Sequence, residues 1–248
     1  MLAPASAKPP RVVPFGVTEA LGALLLSFCV EILGVIALGL LTRHTGISQM
    51  WLAIAGYQFL ALGVLLSVGL LIVFRLSGSL SIVGYRHLGW RSWAAAGVAV
   101  IPIYAGVAIL YALFNAFLPG YHVRGNAQEL LQGASPHVGL VQGLGIALFA
   151  AIEAPLTEET LFRGFLFQGL RGYFARYLPY QGAVLAGAIV SGLTFGLLHF
   201  EVHTLPILVF LGIALAYIFQ VTDSLFASVL THGIINLVAV VGTFHISP

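Results

Sequence analysis

The chain has 248 residues, of which 60% are hydrophobic and 7% are charged, with a formal net charge of +2. Soluble domains carry about 45–50% apolar and about 25% charged residues, so this composition excludes an ordinary water-soluble fold. The small net charge gives no electrostatic case for nucleic acid as a partner.

Met1–Pro14 contains Pro4, Pro9, Pro10 and Pro14 together with Lys8 and Arg11, and residues 1–16 read as a disordered cytosolic tail. The apolar run that follows is too long for the core of a cleavable signal peptide. Runs at Val17–Leu41, Trp51–Phe74, Trp93–Phe117 and Val138–Leu156 are long enough to cross about 30 Å of hydrocarbon as helices. Thr157–Tyr177 is more polar and is expected to lie partly in the interface. Three further runs follow at Gln181–His199, Thr204–Val221 and Ser224–Phe244.

The expected fold is all-α: a polytopic membrane helical bundle of seven or eight helices, one domain over residues 17–248. The count turns on whether the Glu-containing helix spans. Long continuous runs argue against a β-barrel, whose strands alternate over about ten residues. Lys8 and Arg11 precede the first helix, Arg75, Arg86 and Arg91 fill the second loop, and Arg171 and Arg176 follow the Glu-containing helix. The first and third loops hold Arg43 and Arg124. This asymmetry puts the N-terminus in the cytosol, with the Glu pair entering the membrane from that side.

Glu158 and Glu159 are adjacent, with Arg163 four residues on. Charges at mid-membrane cost roughly 2.5–3.5 kcal/mol each on insertion scales, so three in one short segment require partners. Glu159 and Arg163 form an i, i+4 pair in the favourable order, and Arg163 can fork onto the carboxylate. Glu158 then points about 100° away and is free for other work, as a general base. Pro155 and Thr157 read as a helix start, with Thr157 as N-cap. On that reading the acids are also compatible with an ordinary first helical turn.

Ala188, Gly192 and Gly196 recur every four residues and leave one helix face nearly bare, suited to a close crossing near His199. His232 and Asn236 share a face of the last helix and can donate hydrogen bonds toward one point. Glu31, Glu153, Glu158 and Glu159 outnumber the single core base Arg163, so histidines, protonated carboxyls or a wet cavity must balance them. His199 and His203 have i, i+4 spacing, but Phe200-Glu201-Val202 lies between them, whereas a zinc protease needs Glu directly after the first His. Cys29 is alone, which excludes an internal disulfide and any multi-cysteine metal site. A zinc site, a proton-coupled transporter and a non-catalytic membrane scaffold stay open on these residues.

Glu158-Glu159-x-x-x-Arg163, then Phe195-x-x-x-His199, then His232-x-x-x-Asn236 resembles the three-part signature of the CPBP family: CAAX-prenyl-protease-like and bacteriocin-processing intramembrane endopeptidases, also called Abi proteins. The match covers about Ala151 to Leu237, and the first half of the chain shares only its hydrophobic helices. The resemblance implies glutamate-dependent peptide hydrolysis with no metal and no cofactor. Glu158 and His199 would activate water, His232 and Asn236 would hold the oxyanion, and Glu159 with Arg163 would set the geometry. It further implies membrane lipid and a membrane-embedded or lipidated protein or peptide as partners, and a bacterial plasma membrane rather than a eukaryotic endomembrane. Substrate and oligomeric state are not fixed by it.

Overall fold

Residues 13–44, 49–75, 79–118 and 140–246 are described by the computed structural model. Lys8 and Arg11 of the expected tail, and Arg124, lie outside them. Helices α1 (Val17–Thr42) and α2 (Gln49–Arg75) run as an antiparallel pair. Their closest approach is at Gly63, where a Cβ would lie 2.5 Å from Ser27 Cα. Helices α3 (Trp90–Val98) and α4 (Val100–Phe117) follow almost continuously. The step between them lies where Pro102 removes the amide that would bond back to the Val98 carbonyl. Among the described residues, five helical stretches are long and apolar enough to cross a membrane: Val17–Thr42, Ile54–Phe74, Trp90–Phe117, Tyr180–Leu197 and Leu205–Thr222. The described residues are all-helical, with large apolar side chains such as Leu25, Leu33, Leu65, Ile101 and Leu185 on the outer faces. The fold class read from the sequence therefore holds, and the protein is a membrane protein.

The centre is a long helical rod assembled from α5 (Leu140–Leu148), a π-helical turn (Phe149–Glu153), α6 (Ala154–Glu159), a second π segment (Thr160–Phe167) and α7 (Gln168–Phe174). One expectation is corrected here. No helix starts at Pro155, and Thr157 caps nothing, because the backbone is helical without interruption through both residues. Proline lacks the amide that Ala151 would need in a regular α-turn, and its ring crowds that carbonyl, so the turn widens into a π-bulge. The freed carbonyls are met by the last helix, α10 (Leu225–Ile246). Asn236 Nδ2 donates to the Ala150 carbonyl at 3.0 Å, and Gly233 packs so closely on Ala151 O that a Cβ would stand 2.2 Å from it.

The more polar segment Thr157–Tyr177 is enclosed by other helices over most of its length. Every residue from Thr157 to Arg171 is buried. Its polar groups can be interior because surrounding helices supply their partners. Leu161, Phe162, Leu166 and Leu170 pack with Leu60 and Val64 of α2 and with Phe195 of α8 (Tyr180–Leu197). Phe165 packs with Ala20 and Ala23 of α1 and with Val83.

Helices α8 and α9 (Leu205–Thr222) cross where the small-residue stripe lies. A Cβ on Gly192 would meet Ile213 at 2.7 Å and the Val209 carbonyl at 2.9 Å, and one on Gly212 would meet Gly192 Cα at 2.7 Å. Helix α9 ends at Asp223, which adopts a left-handed conformation at φ 52° and takes the Arg86 guanidinium at 2.6 Å. Leu225 N donates to the Gly84 carbonyl at 2.8 Å, tying the α9–α10 turn to the loop before α3. Gly84 itself sits at φ 106° with Phe219 against it, a place for no side chain.

Overpacking a tight crossing typically costs about 1–3 kcal/mol. Gly192→Leu and Gly212→Leu are each expected to lower the thermal midpoint in detergent by roughly 2–12 °C. Gly97→Ala, which meets nothing within 4 Å, is expected to leave it unchanged or slightly raised. A thermal-shift series on the three variants checks this.

Candidate active site

The π-bulged rod turns Glu158 and Glu159 toward different neighbours. Glu159 is wholly buried, and its Oε1 accepts from Arg163 Nη1 at 2.8 Å. The same oxygen accepts from His232 Nδ1 of α10 at 2.9 Å. Arg163, also fully buried, does not fork onto the carboxylate as the sequence suggested. Its second nitrogen, Nη2, donates to the Gly212 carbonyl on α9 at 2.9 Å, and its guanidinium lies 4.8 Å from the centre of the Phe195 ring. The fork is divided because the α8–α9 crossing brings a helix carbonyl within reach, and a buried carbonyl needs a donor as much as a carboxylate does.

Glu158 is 5% exposed and faces the other way. Its Oε1 accepts a hydrogen bond from the Tyr57 hydroxyl of α2. Its Oε2 has no hydrogen-bond partner within the protein and stands 3.7 Å from His232 Nε2. One imidazole therefore lies between both carboxylates, bonded to Glu159 through Nδ1 and facing Glu158 through Nε2. Since the Glu159 oxygen accepts from Arg163, the His232 Nδ1 position carries the proton.

His199 lies in the turn just after α8, placed there as Phe200 adopts a left-handed conformation at φ 54° and ends the helix. Its Nδ1 is 2.7 Å from the Phe195 carbonyl, which can only accept, so Nδ1 donates and Nε2 presents its lone pair. The His199 and His232 rings both pack on Phe195, with centroids 4.5 and 5.9 Å from it. Glu158 and His232 are thus brought together, and His199 stands one aromatic ring away. Asn236 is turned to the Ala150 carbonyl, so its amide and His232 Nδ1 donate to different acceptors rather than to a common point.

Of the other acids, Glu153 accepts from Gln58 Nε2 of α2, and Glu31 of α1 lies near Gly56. Thr160 bonds back to the Leu156 carbonyl at 2.6 Å and meets the Tyr85 hydroxyl. Burial pushes the Tyr85 hydroxyl above its ordinary range, the Thr160 hydrogen bond opposes this, and the Glu159 charge adds to the rise. Among the described residues no three His, Cys, Asp or Glu side chains are grouped as metal ligands.

Sequence reasoning missed Tyr57, Gly212 and the shelf formed by Phe195. Tyr57 and Gln58 are adjacent polar residues in the otherwise apolar α2, and that pairing was the available signal. Nothing in the sequence marked the Gly212 carbonyl as a partner for Arg163.

Comparison with known proteins bears on this region alone. The family model for Type II CAAX prenyl endopeptidase Rce1-like proteins matches residues 139–238, a segment running from the rod to α10 that contains Glu158, Glu159, Arg163, His199, His232 and Asn236. No curated protein and no solved structure matches the chain. Residues 139–238 are thus similar to the CAAX-protease-like (CPBP) family of membrane endopeptidases.

Proposed function

We propose that this protein hydrolyses peptide bonds of membrane-embedded or lipidated proteins by a metal-independent mechanism with Glu158 as the base. The observation that carries the proposal is the divided state of Glu158. One carboxylate oxygen is held by Tyr57, and the other has no protein partner and faces His232 Nε2 at 3.7 Å. That separation is too long for a direct hydrogen bond and suits a bridging water.

In the reaction, Glu158 Oε2 takes a proton from water, and the oxygen attacks the scissile carbonyl carbon. The carbonyl π electrons move onto oxygen to give a tetrahedral oxyanion. His232 Nε2–H and the Asn236 N–H that is not given to the Ala150 carbonyl stabilise that charge, which requires His232 to be an imidazolium. Its positive charge and that of Arg163 then balance the negative charges of Glu158 and Glu159. Collapse of the intermediate breaks the C–N bond, and the leaving amine takes the proton from Glu158. His199, with its lone pair on Nε2, shares that proton during the transfer. Glu159 holds His232 in the required tautomer and orientation, and Arg163 fixes Glu159 in turn.

The family match over residues 139–238 supports the reaction class, and the membrane helices around the site support a substrate that arrives from the bilayer. Lipid is then the medium of the reaction, and nucleic acid has no part in it.

The test is cleavage of a panel of internally quenched peptides, prenylated and unmodified, by purified protein in proteoliposomes. Glu158→Gln is expected to lower kcat by about 10²–10⁴-fold, the usual contribution of a positioned acid–base group. Cleavage that survives Glu158→Gln sinks the mechanism. Removing one oxyanion donor costs about 10²–10³-fold, so His232→Ala and Asn236→Ala are each expected to fall by that amount. A Glu-based reaction is also expected to be insensitive to chelators, and full inhibition by 1,10-phenanthroline with rescue by zinc overturns metal independence.

A further inference from the structure

Tyr57 belongs to α2, in the half of the chain outside the matched segment, yet its hydroxyl reaches the carboxylate of Glu158. Its ring is seated edge-on against Phe149, centroids 5.1 Å apart at 86°, on the π-turn that precedes Pro155. Gln58, the next residue, bonds Glu153 on the same rod. Helix α2 therefore grips the rod at two acids five residues apart, one of them the candidate base. A phenol donates a single hydrogen bond, and here it goes to Oε1. With Oε1 occupied, the carboxylate cannot rotate freely, and Oε2 is directed at His232 Nε2. The groups around Glu158 are Tyr57 from α2, His232 from α10, and Glu159 and Arg163 on its own rod.

We propose that Tyr57 is a positioning residue for the reaction: its O–H holds Oε1 of Glu158 so that Oε2 alone accepts the proton from the attacking water. The inference rests on Glu158 being the base, as argued under Proposed function. It also means that the active site is not contained in residues 139–238, since the first half of the chain supplies a group that orients the base. A positioned hydrogen bond to a charged group acts on the bond-making step and leaves peptide binding alone. It should therefore appear in kcat and not in KM.

The experiment compares Tyr57→Phe with wild type and Glu158→Gln in full-length protein, on the peptide panel above. Phenylalanine keeps the ring on Phe149 and removes only the hydroxyl. The expected result is a kcat lower by about 10- to 100-fold and a KM within about twofold, with at most a modest fall in thermal midpoint from the hydrogen bond lost at a buried carboxylate. Glu158→Gln inactive with Tyr57→Phe at wild-type kcat overturns this proposal and spares the base assignment. Glu158→Gln active overturns the base assignment itself. A faster Tyr57→Phe enzyme also overturns the proposal, because the phenol would then be an obstruction. So does a loss of thermal stability accompanied by a raised KM, since the residue would then be structural.

If no peptide in the panel is cleaved, labelling of Glu158 by dicyclohexylcarbodiimide, read by mass spectrometry, decides the matter. Release of Oε1 in Tyr57→Phe is expected to speed labelling several-fold, and equal labelling overturns the contact.

Discussion

Arg163 is wholly buried with Glu159 at 2.8 Å, and removing one partner of such a pair typically costs about 3–5 kcal/mol, because a charge is left without compensation. In a membrane protein neither lipid nor water can take over. The guanidinium therefore needs its acceptors from the protein, and they come from different elements: Glu159 on its own rod and Gly212 O on α9, with the face of Phe195 from α8 beneath it. The Gly192–Gly212 crossing is part of the same arrangement. Without the close approach of α8 and α9, the Gly212 carbonyl and the Phe195 ring would not converge on one cation. His232 completes the set by donating to the oxygen of Glu159 that Arg163 also holds. Four helical elements are thus fixed relative to one another by a charge that cannot be left exposed to hydrocarbon.

The backbone of the rod supplies the second constraint. A regular α-helix through Pro155 would leave carbonyls unpaired in a buried segment, at a cost of about 1–3 kcal/mol for each. The π-turn collects that defect in one place, and α10 covers it with Asn236 and with the bare backbone of Gly233. His232 lies beside Gly233, so the contact that repairs the rod also brings the imidazole to the Glu pair. The bulge is in this way a docking device for α10, and the register of that docking decides which carboxylate meets which ring nitrogen. A shift of one residue along α10 would turn His232 about 100° away from the pair.

The membrane class, the Glu159–Arg163 pairing and the close crossing of α8 and α9 were legible because each rests on local spacing. Hydropathy over twenty residues, an i, i+4 charge pair and small residues every fourth position are all properties of one helix considered alone. The reading of Pro155 failed because proline at a helix start and proline after a π-turn look alike in sequence, and only the partner on α10 distinguishes them. The enclosure of Thr160, Arg163, Gln168 and Arg171 among polar partners was likewise illegible, because most of those partners lie on other elements. Tyr57 was out of reach of any spacing argument, since it is separated from Glu158 by 101 residues.

Two adjacent glutamates of the same chemistry end in opposite electrostatic situations, and the difference follows from which helices each one faces. Glu159 shares one of its oxygens between the Arg163 guanidinium of its own rod and the His232 imidazole of α10. Glu158 accepts from the Tyr57 phenol of α2, while its other oxygen has no hydrogen-bond partner in the protein and faces His232 Nε2 at 3.7 Å. The rod therefore divides the pair into one carboxylate that ties Arg163 to His232 and one held by Tyr57 with an oxygen directed at the same imidazole. Adjacency in sequence is what makes the division possible, since about 100° of helical rotation is enough to send neighbouring side chains to different partners.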